Sequence, residues 1–207
     1  SKAKENSNQI FDAIVIGAGI SGMYQLYSLR KLGKSVKVVE AGTDVGGTWY
    51  WNRYPGCRFD SESYSYAYSF SKDLLEEWDW TEHFSPQPET LKYLQYVAKK
   101  FDLKKDIQFN AKVKTANYDS KKTRWVVRTE EGDTFESTFL ITAIGALSTP
   151  YVPEFNGKDS FRGKSWHTSQ WPKESVDLST KRVGVIGTGA TAVQMITEIS
   201  KDVGELY

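Results

Sequence analysis

The segment that most constrains this chain is Gly17-Ala18-Gly19-Ile20-Ser21-Gly22, directly behind a short β-branched run at residues 11–16. An apolar run of that length ending at glycines predicts a strand buried in a parallel sheet. Residues 20–32 predict a helix, with Gly33 at its C-terminal cap, and residues 36–40 a second strand. In such a βαβ unit each glycine has a task. Gly17 permits the tight turn, Gly19 lets backbone approach a pyrophosphate, and Gly22 lets the helix pack close to the strand. The helix N-terminus presents N–H groups and a positive dipole end to the phosphates. Glu40 lies about twenty residues beyond the turn, where an acid accepts from ribose hydroxyls. A glycine turn used only for packing is the alternative. Strand, helix and acid together favour dinucleotide binding.

A second turn, Gly187-Thr188-Gly189-Ala190-Thr191-Ala192, follows an apolar run at residues 182–186 and opens a helix over 190–200. Ala192 stands at the third glycine position, which the pattern allows. The residues that would separate NAD from NADP fall past Tyr207, so NADPH is not readable from this turn. Two such turns imply two dinucleotides. One flavin and one nicotinamide is the economical pairing, because hydride can pass between them; the first turn is then the FAD site. The chain stops where the second unit needs its next strand, which reads as a fragment.

Between the turns, residues 46–70 are rich in Gly, Ser and aromatics and lack periodicity, which predicts a long ordered loop. Pro88 marks a helix start, and Leu91, Leu94, Val97 and Phe101 give it one apolar face. Residues 112–118, 123–129 and 133–139 read as a small β-meander, and residues 139–144 as a separate central strand. Pro150, Pro153, Gly157 and Gly163 punctuate a linker. The expected fold class is α/β. A Rossmann-like FAD-binding domain with a β-meander (10–147) leads through a linker (148–180) to the start of a second Rossmann-like, NADPH-binding domain (181–207).

Composition narrows the function classes. Lys+Arg number 27 and Asp+Glu 26, which gives no electrostatic case for nucleic acid or an anionic membrane. Cys57 is the one cysteine, so neither an internal disulfide nor a CxxC redox pair exists; it reads as a buried thiol. Residues 1–9 form a polar tail with no apolar core, and no run approaches eighteen apolar residues. A cytoplasmic setting, a small-molecule substrate and no metal are the expectation. Flat aromatic side chains such as Trp49, Trp51, Trp78 and Trp80 suit a planar cofactor, but they are also ordinary core material.

Three further segments carry a resemblance. Phe161-Arg162-Gly163-Lys164-Ser165-Trp166-His167-Thr168-Ser169-Gln170-Trp171-Pro172 matches FxGxxxHxxxWP. Gly46-Gly47-Thr48-Trp49-Tyr50-Trp51-Asn52-Arg53-Tyr54-Pro55-Gly56-Cys57-Arg58-Phe59-Asp60 matches GGxWxxNRYPGxxxD. Thr142-Ala143-Ile144-Gly145-Ala146-Leu147-Ser148-Thr149-Pro150 is similar to the strand that leads out of a flavin domain. In this order they resemble the Baeyer–Villiger monooxygenases, from about Phe11 to Tyr207.

The resemblance implies that NADPH reduces FAD, that reduced flavin adds O2 to give a C4a-peroxyflavin, and that its anion attacks a ketone to give an ester or lactone. A peroxide anion needs positive charge and dry surroundings. The arginine that supplies the charge in the family lies beyond residue 207. Asp60 matches the acid that holds it, against the alternative of an acceptor of backbone N–H bonds. Arg58 and Asp60 match positions approaching NADPH. Thr48, Trp49 and Tyr66 match positions lining the flavin, with Gly47 in the same block. Val113 matches a strand residue beside the adenine; for Tyr66 and Val113 a core role competes. Arg53 and Arg58 are candidates for cofactor phosphates, or for pairing with acids such as Glu62. Histidine as a residue type titrates near neutral pH, so His167 is a candidate base, against a structural hydrogen-bonder in a linker. The resemblance instead makes the motif a coupler of domain movement, with Trp171 packed. The competing functions are an N- or S-oxygenating flavin monooxygenase, against which Trp171-Pro172 argues, and a non-catalytic flavoprotein fragment.

Overall fold

The computed structural model describes residues 9–207; the polar tail read at residues 1–9 falls outside them but for its last residue. The described residues divide into two compact units: 9–50 with Leu94–Ser148, and Trp51–Tyr93 with Thr149–Tyr207. The units do not follow the linear segments 10–147, 148–180 and 181–207, because residues 51–93 group with the C-terminal part of the chain.

In the first unit, β1 (Ile10–Ile16), α1 (Ile20–Lys31) and β2 (Val36–Val39) form the expected βαβ. Ile14, Val15, Val38 and Val39 are fully buried, and α1 turns Met23 and Leu26 inward. Each such aliphatic burial contributes about 1.5–3 kcal/mol. Gly33, at φ 70, ends α1: Lys34 N–H returns to Leu29 O at 3.0 Å. The six-stranded sheet has the order β3-β2-β1-β6-β5-β4, with β3 at Ile107–Gln108, β4 at Val113–Asp119, β5 at Arg124–Thr129 and β6 at Thr134–Thr142. Strands β3, β2, β1 and β6 run parallel, while β6, β5 and β4 form the antiparallel meander.

Two expectations change here. The meander's last strand and the separate central strand are one nine-residue strand, β6, since no turn residue interrupts residues 134–142. Its first half pairs with β5 and most of its length with β1. The two-residue β3, which pairs with β2, is too short to leave a periodic signal. Ile14, Val39, Ala111 and Val127 form a core cluster, with Val113 and Leu140 packed against it.

The long ordered loop expected at residues 46–70 holds two single-turn helices, α2 (Thr48–Trp51) and α3 (Ser63–Tyr66), and is followed by α4 (Lys72–Glu77). Ser71 caps α4 by accepting from Leu74 N–H at 3.3 Å. The next helix, α5 (Gln87–Lys100), begins one residue ahead of Pro88. The aromatic stretch is core: Tyr93 is buried with Trp80 at 4.9 Å, Trp78 at 5.3 Å and Tyr68 at 6.2 Å between ring centroids.

Toward the C-terminus, β7 (Arg182–Val183), α6 (Ala190–Ile199) and β8 (Glu205–Leu206) form a second parallel unit. The strand that the sequence reading placed past residue 207 has therefore already begun. Val185 N–H donating to Tyr207 O at 2.8 Å continues its pairing. Among the described residues no helix is long and apolar enough to cross a membrane.

Candidate dinucleotide sites

The first glycine turn lies at the carboxyl ends of β1, β2 and β6, where ligands of open α/β sheets bind. Gly17, at φ 101, donates its N–H to Val39 O at 2.9 Å, and a Cβ on it would lie 2.5 Å from Ala143 O. A Cβ on Gly22 would lie 1.8 Å from Gly17 O, so only glycine lets α1 sit this close to the turn. Gly19 is the N-cap of α1 with no side-chain cap hydrogen bond, and the first turn holds no acidic residue. That leaves the positive helix end to an anion. The paired glycines Gly46 and Gly47 pass over the turn. Gly46 N–H donates to Ala18 O at 3.1 Å, and a Cβ on Gly47 would come within 2.8 Å of Gly19 Cα.

Glu40 is 5 % exposed, and both carboxylate oxygens are engaged. Oε2 accepts from Ala18 N–H at 2.6 Å and Oε1 from Gly42 N–H at 2.7 Å. The acid expected to receive ribose hydroxyls is thus also the clamp that fixes the glycine turn to the loop after β2. Each oxygen keeps a second lone pair for a ligand. Thr48 is exposed at the start of α2, Trp49 is 5 % exposed and packs inward, and Val113 sits on the core cluster.

In the second unit, Asp60 is exposed, next to the buried Phe59 whose ring stacks on Tyr66 at 4.2 Å. The structure thus gives Tyr66 a packing partner. Arg58 pairs with Glu82 at 3.0 Å and donates to Phe84 O at 3.3 Å. Glu62, an acid that the sequence offered as one alternative partner for Arg53 or Arg58, meets His83 at 3.4 Å. Cys57 is buried, and desolvation pushes its thiol up to about 11.

The second glycine turn is uncrowded by the described residues. Gly189 is the N-cap of α6, again without a side-chain cap. Gly187 lies at φ 127, and a Cβ on Gly187 or Gly189 would meet nothing within 4 Å. Thr188 and Ala190 are exposed, Thr191 is half-buried and Ala192 is buried. The sequence reading missed Gln194, whose amide bonds Tyr54 and both backbone groups of Arg58. One polar residue on a helix that buries Ala192, Met195 and Ile199 gives no signal of its own.

The 161–172 motif also acquires local reasons. A Cβ on Gly163 would lie 2.5 Å from the Phe161 ring, so the glycine makes room for that ring. His167 Nδ1 accepts from Ser169 N–H at 3.2 Å and meets Ser169 Oγ at 2.8 Å, which caps a short 3-10 turn at Thr168–Gln170. Trp171 and Pro172 are half-buried, with Trp166 at 5.6 Å from the Trp171 ring.

Two strand–glycine turn–helix units with uncapped helix starts define a Rossmann-like, dinucleotide-binding class of protein. The chain belongs to the flavin-binding monooxygenase-like family, which it matches over residues 12–207. It is similar to the N-terminal part of Baeyer–Villiger monooxygenases. It is 47 % identical over 200 residues to an acetone monooxygenase (methyl acetate-forming) from Gordonia sp. (strain TY-5), covering 97 % of this chain and 38 % of that protein. Against the phenazine N-monooxygenase PhzNO1 from Lysobacter antibioticus it is 46 % identical over 198 residues, covering 95 % and 36 %. A solved OTEMO complex with FAD and NADP superposes with a TM-score of 0.89 at 46 % identity, over 95 % of this chain and 38 % of that one. The chain thus spans under two fifths of the length of these relatives.

Proposed function

We propose that this chain supplies the FAD-binding part, and the opening of the NADPH-binding part, of a Baeyer–Villiger monooxygenase. Such an enzyme inserts one oxygen atom of O2 beside a ketone carbonyl to give an ester or lactone. The observation that carries the reading is the pair of uncapped helix starts behind glycine turns, each on its own parallel strand unit. The residues fit a resident FAD at the first turn: backbone contacts hold the glycines, and Glu40 braces the turn. When bound, FAD supplies hydride acceptance from NADPH and activation of O2.

The chain's own residues would do the rest. Gly17, Gly19 and Gly22 give the pyrophosphate access to the α1 amides, and Gly187, Gly189 and Thr191 do the same for NADPH at α6. Asp60, exposed beside a packed Phe59, is placed to hold and orient a basic side chain. The half-buried His167, Trp171 and Pro172 serve the folding of the connecting segment, with no proton transfer assigned to His167. A soluble, cytoplasmic enzyme is the corresponding setting. The second reading is N-oxygenation, favoured by the likeness to a phenazine N-monooxygenase.

The test uses the complete gene product that carries this chain. A visible flavin spectrum that bleaches with NADPH in the absence of oxygen is expected, followed by esters or lactones from a panel of cyclic, aryl and long-chain ketones. No flavin band, or no bleaching, defeats the two-dinucleotide reading. Products from amines and sulfides alone establish the second reading instead.

A further inference from the structure

Gln194 stands on α6, one turn behind the second glycine turn, and its side-chain amide grips the loop at residues 54–58. Oε1 accepts from the Tyr54 hydroxyl at 2.9 Å and from Arg58 N–H at 3.3 Å, while Nε2 donates to Arg58 O at 2.9 Å. The carbonyl of Arg58 can only accept, which fixes which end of the amide faces it. An amide that both accepts from and donates to one residue's backbone imitates a neighbouring β-strand. On the other side of the same segment, Arg58 bridges Pro86 in antiparallel fashion and Gln87 N–H donates to Cys57 O at 2.8 Å. Arg58 is therefore paired on both sides, and one of its two neighbours is a side chain.

Two further observations bind the loop to this helix. Gly56 lies at φ 75, and a Cβ on it would come within 2.6 Å of Gln194 O and 3.3 Å of Glu198 Cβ, so the backbones touch there. Tyr54 is buried, and desolvation pushes its phenol up to about 12, which keeps it a hydroxyl donor; Thr191, within the glycine turn itself, also hydrogen-bonds it. Thr191 and Gln194, three positions apart on one helix face, thus hold one loop.

We propose that Gln194 is a positioning residue. It keeps the 54–58 loop, and Asp60 just beyond it, in register with the turn at residues 187–192, so that nicotinamide dinucleotide bound at the turn and the placing of Asp60 stabilise each other. The inference rests on the reading of that turn as the NADPH site. Coupling of this kind is reciprocal: whatever loosens the loop weakens the dinucleotide.

The experiment uses the complete gene product loaded with FAD, with NADP+ as the probe. Dissociation constants come from calorimetric titration, and hydrogen exchange of a peptide spanning residues 54–60 is followed with and without NADP+. In the unmodified protein, NADP+ is expected to slow exchange in that peptide. Gln194→Met keeps the side-chain length but removes all three hydrogen bonds. It is expected to bind NADP+ about 5- to 10-fold more weakly, with exchange that no longer responds and FAD content unchanged. Tyr54→Phe removes the hydroxyl's bonds but leaves both bonds between Gln194 and Arg58; it is expected to weaken NADP+ less, in the same direction, and it decides the matter if Gln194→Met does not fold. A folded variant that binds NADP+ and protects the peptide as the unmodified protein does overturns the proposal. So does an unmodified protein whose peptide ignores bound NADP+. An unmodified protein that binds no NADP+ at all overturns the NADPH reading itself, and the proposal with it.

Discussion

Glu40→Gln separates two roles of one carboxylate. If Glu40 serves only ribose hydroxyls, the change weakens FAD binding and leaves the empty protein as stable as before. If it is also the clamp described above, the empty protein loses stability. The geometry sets the magnitude. Two backbone N–H groups at 2.6 and 2.7 Å donate to an ionised, buried acceptor. Hydrogen bonds to a charged group contribute about 1.5–3 kcal/mol each. Glutamine keeps one acceptor and presents an NH2 to the other N–H, so one bond is lost and a buried donor is left facing a donor. The gross cost is about 3–5 kcal/mol. Removing a desolvated charge returns part of it, which leaves roughly 2–3 kcal/mol. For a cooperative unit of about 150–250 residues each kcal/mol moves Tm by about 2–4 °C, so a fall of roughly 4–12 °C is expected. Thermal melts of the flavin-free protein, with hydrogen exchange at Ala18 and Gly42, measure it. An unchanged melt with weaker FAD binding refutes the clamp.

Gly22→Ala drives a Cβ to 1.8 Å from a backbone oxygen and is expected to abolish flavin content in purified protein; flavin content equal to that of the unmodified protein refutes the demand for glycine there. Asp60→Ala is expected to lower ester formation about 10²- to 10³-fold with FAD content unchanged, and unaltered kinetics remove its assigned role. Cys57, buried and with its thiol pushed up to about 11, is expected to resist iodoacetamide at pH 8 until the protein is unfolded; rapid labelling of folded protein contradicts the burial. For Glu89, burial pushes the carboxyl up, but hydrogen bonds from Thr81 and Ser85 outweigh it and set the folded value below the ordinary 4.5. A lowered folded pKa stabilises above the unfolded value and is lost as pH falls through the folded one. Amides of residues 81–89 are therefore expected to lose protection only in acid below about pH 4.5, and a flat profile down to pH 3 excludes the contribution.

What was legible in the sequence follows from how local each cause is. The β1–turn–α1 unit depends on glycines and apolar period within a few residues, so its bounds and its Gly33 cap could be read directly. The merging of residues 133–139 and 139–144 into β6 could not, because it depends on β1 and β5 both pairing with the same strand. Likewise α3 and α4 are too short to show a period, and β8 is two residues long. Among the candidate site residues, the glycines and Glu40 stand out by spacing alone. The engagement of both Glu40 oxygens by Ala18 and Gly42 is a three-dimensional fact, as is the partnership of Arg58 with Glu82 rather than Glu62. Gln194 acts across 136 positions to Arg58, beyond the reach of any local pattern.

The contrast between the two turns carries the functional argument one step further. At the first, glycine is demanded by the protein's own backbone: Gly17 against Ala143, Gly22 against Gly17, Gly47 against Gly19. Such a turn is shaped before any ligand arrives, and a preformed cradle spares the ordering cost that binding otherwise carries. At the second, Gly187 and Gly189 relieve no clash among the described residues, and neighbouring Ile186 is 80 % exposed. The support for that turn among the described residues comes from the far side of α6, where Gln194 and Thr191 hold the 54–58 loop. On this argument, substitutions at the first turn register as lost protein and lost flavin, and substitutions that loosen the far side of α6, at Gln194 or Tyr54, as altered NADP+ affinity.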